Sequence, residues 1–170
     1  MVLIDSHAHV NFPQFNKDRA AVIERAWDAG LIGLVNIGTN VSTSRESVAL
    51  AQKYDSIYAT VGIHPHDAES STPQTLGELR ALARNDKVVA IGEIGLDYYR
   101  DYSPRPVQRE AFRDQLALAT ELRLPIVVHS RDAHEDVLAI LSDWEGTGVL
   151  HTYAAGLEHL DQVIEMGFFI

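Results

Sequence analysis

The chain has no cysteine among its 170 residues. Disulfide staples and thiolate metal sites are therefore excluded, and histidine and carboxylate remain as the side chains able to hold a cation. Positive charge is scarce too: 14 Lys and Arg stand against 24 Asp and Glu, a formal net charge of −10 with a pI near 5.1. A surface of that sign repels polyanions as a whole, so any grip on phosphate must be local. No apolar run reaches the roughly 20 residues needed to span a bilayer. The opening Val2-Leu3-Ile4 also lacks the basic flank and longer apolar stretch of a signal peptide. The expectation is a cytoplasmic protein that does not engage membrane. What the chain does have is a 46% hydrophobic composition, enough for a real core. No repeat, low-complexity segment or linker divides it, so 1–170 reads as a single domain.

Short β-branched or aliphatic runs alternate with longer stretches of helical period, as a parallel sheet with crossover helices requires. Strands are predicted at Val2 to Ser6, Leu31 to Ile37, Ile57 to Ile63, Val88 to Gly92, Pro125 to His129, Gly148 to His151 and Phe168 to Ile170. Most carry little charge, as strands buried on both faces should. Asn16 can cap a first helix with Ala20, Val22, Ile23, Ala26 and Trp27 on one face, and Gly30 can end it. Thr72 before Pro73 starts another with Leu76, Leu79 and Leu82 as its stripe. The longest is expected from Pro106 to about Arg123, with Phe112, Leu116, Ala119 and Leu122 inward, and further helices near Ser42 to Tyr54, Ala133 to Trp144 and Leu157 to Met166.

Two α/β architectures fit this order, an open doubly wound sheet and a TIM (β/α)8 barrel. The first should place a glycine-rich phosphate turn after strand one. Here that strand ends in Asp5-Ser6-His7-Ala8-His9, so the barrel is the better reading. A typical barrel needs about 250 residues. The expectation is an incomplete barrel with about strands 1 to 7, lacking on the order of 80 residues at its C-terminal end.

His7 and His9 are two apart at a strand end, and the period-2 geometry of a strand turns both to one side. The pair alone is compatible with a metal or with two ordinary polar residues. Three other strand ends add Glu93, His129 and His151. A barrel gathers its C-terminal strand ends on one face, so five candidate ligands converge. A mixed nitrogen and oxygen set suits zinc, manganese or magnesium without choosing among them.

At these residues the sequence resembles the TatD-type metal-dependent DNases, an amidohydrolase-like barrel family, over essentially the whole chain. Four segments carry the likeness: Ile4-Asp5-Ser6-His7-Ala8-His9, Val61-Gly62-Ile63-His64-Pro65-His66, Gly92-Glu93-Ile94-Gly95-Leu96-Asp97-Tyr98 and Pro125-Ile126-Val127-Val128-His129-Ser130-Arg131. Gly148-Val149-Leu150-His151 is a weaker fifth, because Thr152-Tyr153-Ala154-Ala155-Gly156 departs from the cysteine-phenylalanine-serine-glycine run expected next. The resemblance implies a metal-dependent hydrolase acting on ester bonds, with two divalent metal ions: His7 and His9 on one, His129 and His151 on the other, Glu93 bridging. It also implies an aspartate ligand near the end of strand eight, beyond the last residue here; Asp161, expected within a helix, does not replace it. His64, in the G-x-H-P turn, and Arg131, beside His129, are the expected phosphate or leaving-group contacts, and with Glu93 form the catalytic set.

The implied substrate is a DNA end or a short single strand, cleaved by a deoxyribonuclease of 3′-5′ exonuclease type, with no stable protein partner. This fits the acidic balance, since a few phosphates would be gripped through metals and Arg131 and long duplex would bind weakly. Asp97 and Tyr98 are expected in a loop overhanging the site, with Asp97 ordering a histidine. Tyr98, Tyr99 and Tyr102 could stack on unpaired bases or pack against neighbouring loops. His66, His134 and His159 receive no role. Two alternatives stand beside the nuclease: a barrel hydrolase of a small ester, lactone or amide, and a non-catalytic fragment. Against the first, no lysine lies near the end of strand four, where many such enzymes carboxylate one to bridge their metals.

Overall fold

A computed structural model describes residues 2–170. Seven strands form one sheet: β1 (Leu3–Ala8), β2 (Leu31–Asn36), β3 (Ile57–Val61), β4 (Val88–Asp97), β5 (Ile126–Arg131), β6 (Gly148–Leu150) and β7 (Phe168–Phe169). All neighbouring pairs are parallel and the spatial order is the chain order, β1 through β7. A doubly wound sheet reverses its order at a switch point. No reversal occurs here, so the strands follow barrel topology, with the ring open between β7 and β1.

Helices α1 (Arg19–Asp28), α2 (Val41–Lys53), α3 (Pro73–Leu82), α4 (Arg105–Leu122), α5 (His134–Leu141) and α6 (Leu160–Glu165) make the crossovers. Two begin on capping boxes: Asn40 accepts from the Thr43 N–H at 3.0 Å, and Thr72 accepts from the Thr75 N–H at 3.2 Å. The core lies along the middle strands, where Ile57, Val61, Ile91, Ile94, Leu96, Ile126 and Val128 are buried together with Phe112, Leu116 and Ala119 from α4. Among the described residues no helix is long and apolar enough to cross a membrane.

Three helix ends differ by more than a residue from the sequence reading. Asn16 does not cap α1. Its side chain accepts from Arg19 Nη2 at 2.6 Å, while Arg19 Nε donates to the Val10 carbonyl, so the arginine ties down the β1–α1 connection and the helix starts at Arg19. Helix α5 stops at Leu141 instead of Trp144, whose indole N–H turns to α4 and donates to Thr120 Oγ1 at 2.8 Å. Residues Leu157–His159 form a 3-10 turn ahead of the shorter α6.

The largest difference is in β4, which runs to Asp97 and not to Gly92. Ile91 pairs with Ile126, but Ile94 pairs with Val128, so β4 carries one more residue than β5 over this stretch. Such an extra residue re-aims a side chain without ending the strand. Glu93 lies within it. A similar slip in β1, between the Asp5–Leu34 and Ala8–Asn36 pairs, contains His7.

Candidate metal centre

Three residues of the site are set by backbone hydrogen bonds to neighbouring strands and loops. The Glu93 N–H donates to the Gly38 carbonyl at 2.8 Å, the His64 N–H to the Thr39 carbonyl at 2.8 Å, and the His151 N–H to the Val128 carbonyl at 3.1 Å. Strand β4 packs tightly against β5: a Cβ on Gly92 would lie 2.7 Å from Val127 Cβ, and one on Gly95 2.1 Å from the His129 carbonyl oxygen. Gly95 also has φ of +132°, a conformation open to glycine and strained for other residues.

The result is one buried carboxylate ringed by imidazoles. Glu93 is 3% exposed. Its Oε1 lies 2.9 Å from His129 Nδ1, 2.8 Å from His151 Nε2 and 3.4 Å from His64 Nε2. Its Oε2 lies 3.4 Å from His7 Nε2 and 3.7 Å from His9 Nε2. The His7 and His151 rings stack at 3.9 Å and 10°. Two sets bring their donor atoms within 4.8 Å of one another: His7, His9 and Glu93; and His64, Glu93 and His129. His151 reaches the cluster through Glu93, and His64 stands inside it.

Electrostatics keep Glu93, His9 and His64 in ligand form. Burial would raise the Glu93 pKa, but hydrogen bonds from His129, His151, His64 and His7 outweigh it and hold the carboxyl well below its usual range. Burial lowers the pKa of His9 and of His64 against the pull of Glu93, so both favour the neutral ring whose lone pair binds metal. His129 differs. Burial opposes its protonation, yet contacts to Glu93 at one ring nitrogen and Asp97 at the other raise its pKa. His7 Nε2 and His9 Nε2 are 3.2 Å apart, and both approach Glu93 Oε2. Imidazoles converging on an ionised, buried carboxylate fit a divalent cation.

A supporting layer lies behind this ring. Asp97 is 1% exposed and sits in β4, not in an overhanging loop. Its Oδ2 is 2.9 Å from both His129 Nε2 and His66 Nε2. His66, given no role from sequence, thereby joins the site. Two buried glutamines of α4 clamp the backbone: Gln115 accepts from the Ile63 N–H at 2.7 Å and donates to its carbonyl at 3.0 Å, beside His64. Gln108 accepts from the Asp97 N–H at 2.9 Å and donates to the Asp97 and Ser103 carbonyls. Sequence reasoning missed both. Their signal was two polar residues seven apart in the stripe that buries Phe112 and Ala119.

Arg131 ends β5 and is exposed; among the described residues its guanidinium makes no ion pair, and it lies 3.9 Å over the Tyr99 ring. His134 and His159 stand apart from the cluster, with ring centroids 5.0 Å from each other.

Parallel strands in barrel order, with histidines near their C-terminal ends converging on a glutamate within β4, define the metal-dependent hydrolase class of barrel. A family model described as TatD related DNase matches residues 4–170, and the chain belongs to that family. It is 41% identical, over 99% of its length, to the metal-dependent hydrolase YabD of Bacillus subtilis, covering 68% of that protein. Against the protein named 3′-5′ ssDNA/RNA exonuclease TatD of Enterobacter lignolyticus it is 39% identical, covering 99% of this chain and 66% of that one. The crystal structure of YjjV, a TatD homologue from Escherichia coli, superposes with a TM-score of 0.91 at 32% identity, covering 98% of this chain and 66% of that one. The chain thus spans about two thirds of the length of these relatives, and the match to YjjV covers its incomplete barrel.

Proposed function

We propose that this chain is the metal-binding part of a phosphodiesterase acting on single-stranded nucleic acid. The observation that carries the reading is the convergence of His7, His9, His64, His129 and His151 on Glu93. The TatD relatives are named for 3′-5′ cleavage of single-stranded DNA and RNA, and the same direction and substrate are proposed here. His7, His9 and Glu93 would hold one divalent ion, with Glu93, His129 and His151 holding a second. Magnesium, manganese or zinc all suit such donors.

Bound ions would supply Lewis acidity, lowering the pKa of an attacking water and offsetting charge on the phosphoryl oxygens. The protein's own groups do the rest. Glu93 keeps its negative charge under burial and so can face two cations at once. Asp97 holds His129 by Nε2, leaving Nδ1 toward Glu93. His64, 3.4 Å from Glu93 Oε1, is placed to donate to a phosphate or leaving-group oxygen once Nε2 is protonated. Arg131 carries an unpaired guanidinium at the end of β5 and would take a neighbouring phosphate as a bidentate donor.

The test is nucleotide release from end-labelled single-stranded DNA and RNA, with and without added magnesium or manganese, by the purified chain and its His7→Ala and Glu93→Ala variants. Metal-dependent release lost in both variants is the expected result. No release by the folded, metal-supplied chain, or release persisting in both variants, would overturn the reading.

A further inference from the structure

The loop after β4 presents three tyrosines beside the metal centre, and they are not equivalent. Tyr98 is engaged: its hydroxyl donates to Asp136 Oδ2 at 2.5 Å and accepts from Arg109 Nη1 at 3.0 Å, while the Arg105 guanidinium covers its ring at 4.3 Å. Tyr99 is covered by Arg131 at 3.9 Å. Tyr102 is 64% exposed, and among the described residues no cation lies over its ring. One contact defines its place: its centroid is 4.8 Å from that of His66, tilted by 60°. His66 is in turn 4.2 Å from His64, ring to ring.

A mobile loop exposes a tyrosine by default, but this loop is anchored. Ser103 is 1% exposed, donates from Oγ to the His66 carbonyl at 3.1 Å, and its own carbonyl accepts from Gln108 Nε2 at 2.8 Å. The Arg100 N–H donates to Asp97 Oδ1 at 2.8 Å, and Asp101 pairs with Arg105 at 3.1 Å. Residues on both sides of Tyr102 are therefore fixed, and its ring is held in water two rings away from the proposed phosphate-contacting histidine. Leaving a large aromatic surface wet on an anchored turn forgoes the gain from burying it.

We propose that Tyr102 is a stacking platform for an unpaired base next to the scissile phosphate, and thereby a determinant of single-strand selectivity. This rests on the phosphodiesterase reading of the metal centre. An interior duplex base is stacked on both faces and a terminal one is held in its pair, whereas an unpaired terminal base is free to turn a face onto the ring. Stacking is tolerant of base identity because every base has a π face. On a chain of net charge −10 it adds affinity without needing a basic surface. Arg131, held on Tyr99, would take the adjoining phosphate, so the loop reads base and backbone with separate groups.

The experiment is a binding cycle. Octathymidylate carrying 2-aminopurine at its 3′ end, phosphorothioate-linked to block turnover, is titrated with the full chain in magnesium and followed by base fluorescence. A second octamer, labelled at its 5′ end, has an abasic 3′ residue. Tyr102→Ala should weaken binding of the first by roughly tenfold, within the range of single base–aromatic stacks, and abolish the quenching. Tyr102→Trp should restore both. On the abasic octamer, wild type and Tyr102→Ala should bind alike. Equal affinity and quenching for wild type and Tyr102→Ala on the first octamer overturn the assignment, as does an equal loss on both octamers, which marks a structural role. Wild type that binds neither octamer overturns the phosphodiesterase reading itself, and this inference with it.

Discussion

Strands β1 and β4 deliver ligands to the same point from opposite mechanical situations. Nine of the ten residues of β4 are buried and the strand has partners on both sides. The first four residues of β1 are exposed and it pairs only with β2. Glu93, which every imidazole of the cluster approaches, lies on the strand that cannot yield. His7 and His9 lie on the strand that can. Placing the shared ligand at the rigid position fixes the site's origin, and the peripheral ligands are then drawn to it. A cation bound there would order the edge more than the centre, since binding free energy goes to the groups whose freedom it restricts.

The hardest way to break this contrast is at Gly95. A methyl group there would meet the His129 carbonyl at 2.1 Å, on a backbone with φ of +132°. Gly95→Ala should cost about 4 kcal/mol or more, in the class of severe core lesions, measured as the change in urea unfolding free energy. A cost below about 1 kcal/mol would mean that β4 and β5 can part freely. Next is Ile91→Ala, which empties a fully buried site on the same strand. It should cost about 2 to 5 kcal/mol.

Asp97→Asn probes how the rigid side positions its histidine. The carboxylate holds His129 Nε2 at 2.9 Å, whereas among the described residues no carboxylate contacts the Nδ1 atom of His7 or of His9. The variant should bind manganese about 10- to 100-fold more weakly by titration calorimetry, the usual cost of losing a group that orients a ligand. Unchanged affinity would show that β5 alone positions His129.

What the sequence made legible follows the same division. Strand ends could be read because apolar runs stop at His129 and His151 and shortly before His7, and helices could be read where a cap preceded a stripe, as at Thr72-Pro73. Glu93 could be placed near a strand end but not inside a strand, because a one-residue slip against β5 leaves no mark in composition. Asp97 therefore looked like a loop residue, and its partner His66 looked unemployed: their contact joins positions 31 apart in sequence. Gln108 and Gln115 were hidden for another reason. A glutamine in an apolar stripe satisfies local helix propensity, and only the tertiary pairing with the Asp97 and Ile63 backbones gives it a purpose. Register and long-range hydrogen bonds depend on the assembled sheet, where one-dimensional pattern has little to say.

The smallest expected effect tests the other half of the comparison. Ile4 is 64% exposed in β1, and its side chain makes ordinary contact above Gly33, 3.5 Å from where a Cβ would stand. Truncating a side chain that remains mostly in water removes little transfer free energy, so Ile4→Ala should change unfolding free energy by no more than about 0.5 kcal/mol, against the larger cost of the same truncation at Ile91. A loss above about 2 kcal/mol would require Ile4 to be covered in solution, since only a buried aliphatic side chain carries that much. The contrast between a rigid centre and a yielding edge would then fail at the edge. Repeating the measurement across a range of protein concentrations would separate its two explanations: a concentration-dependent loss marks a surface covered by a second chain, and a constant one marks cover from within the same chain.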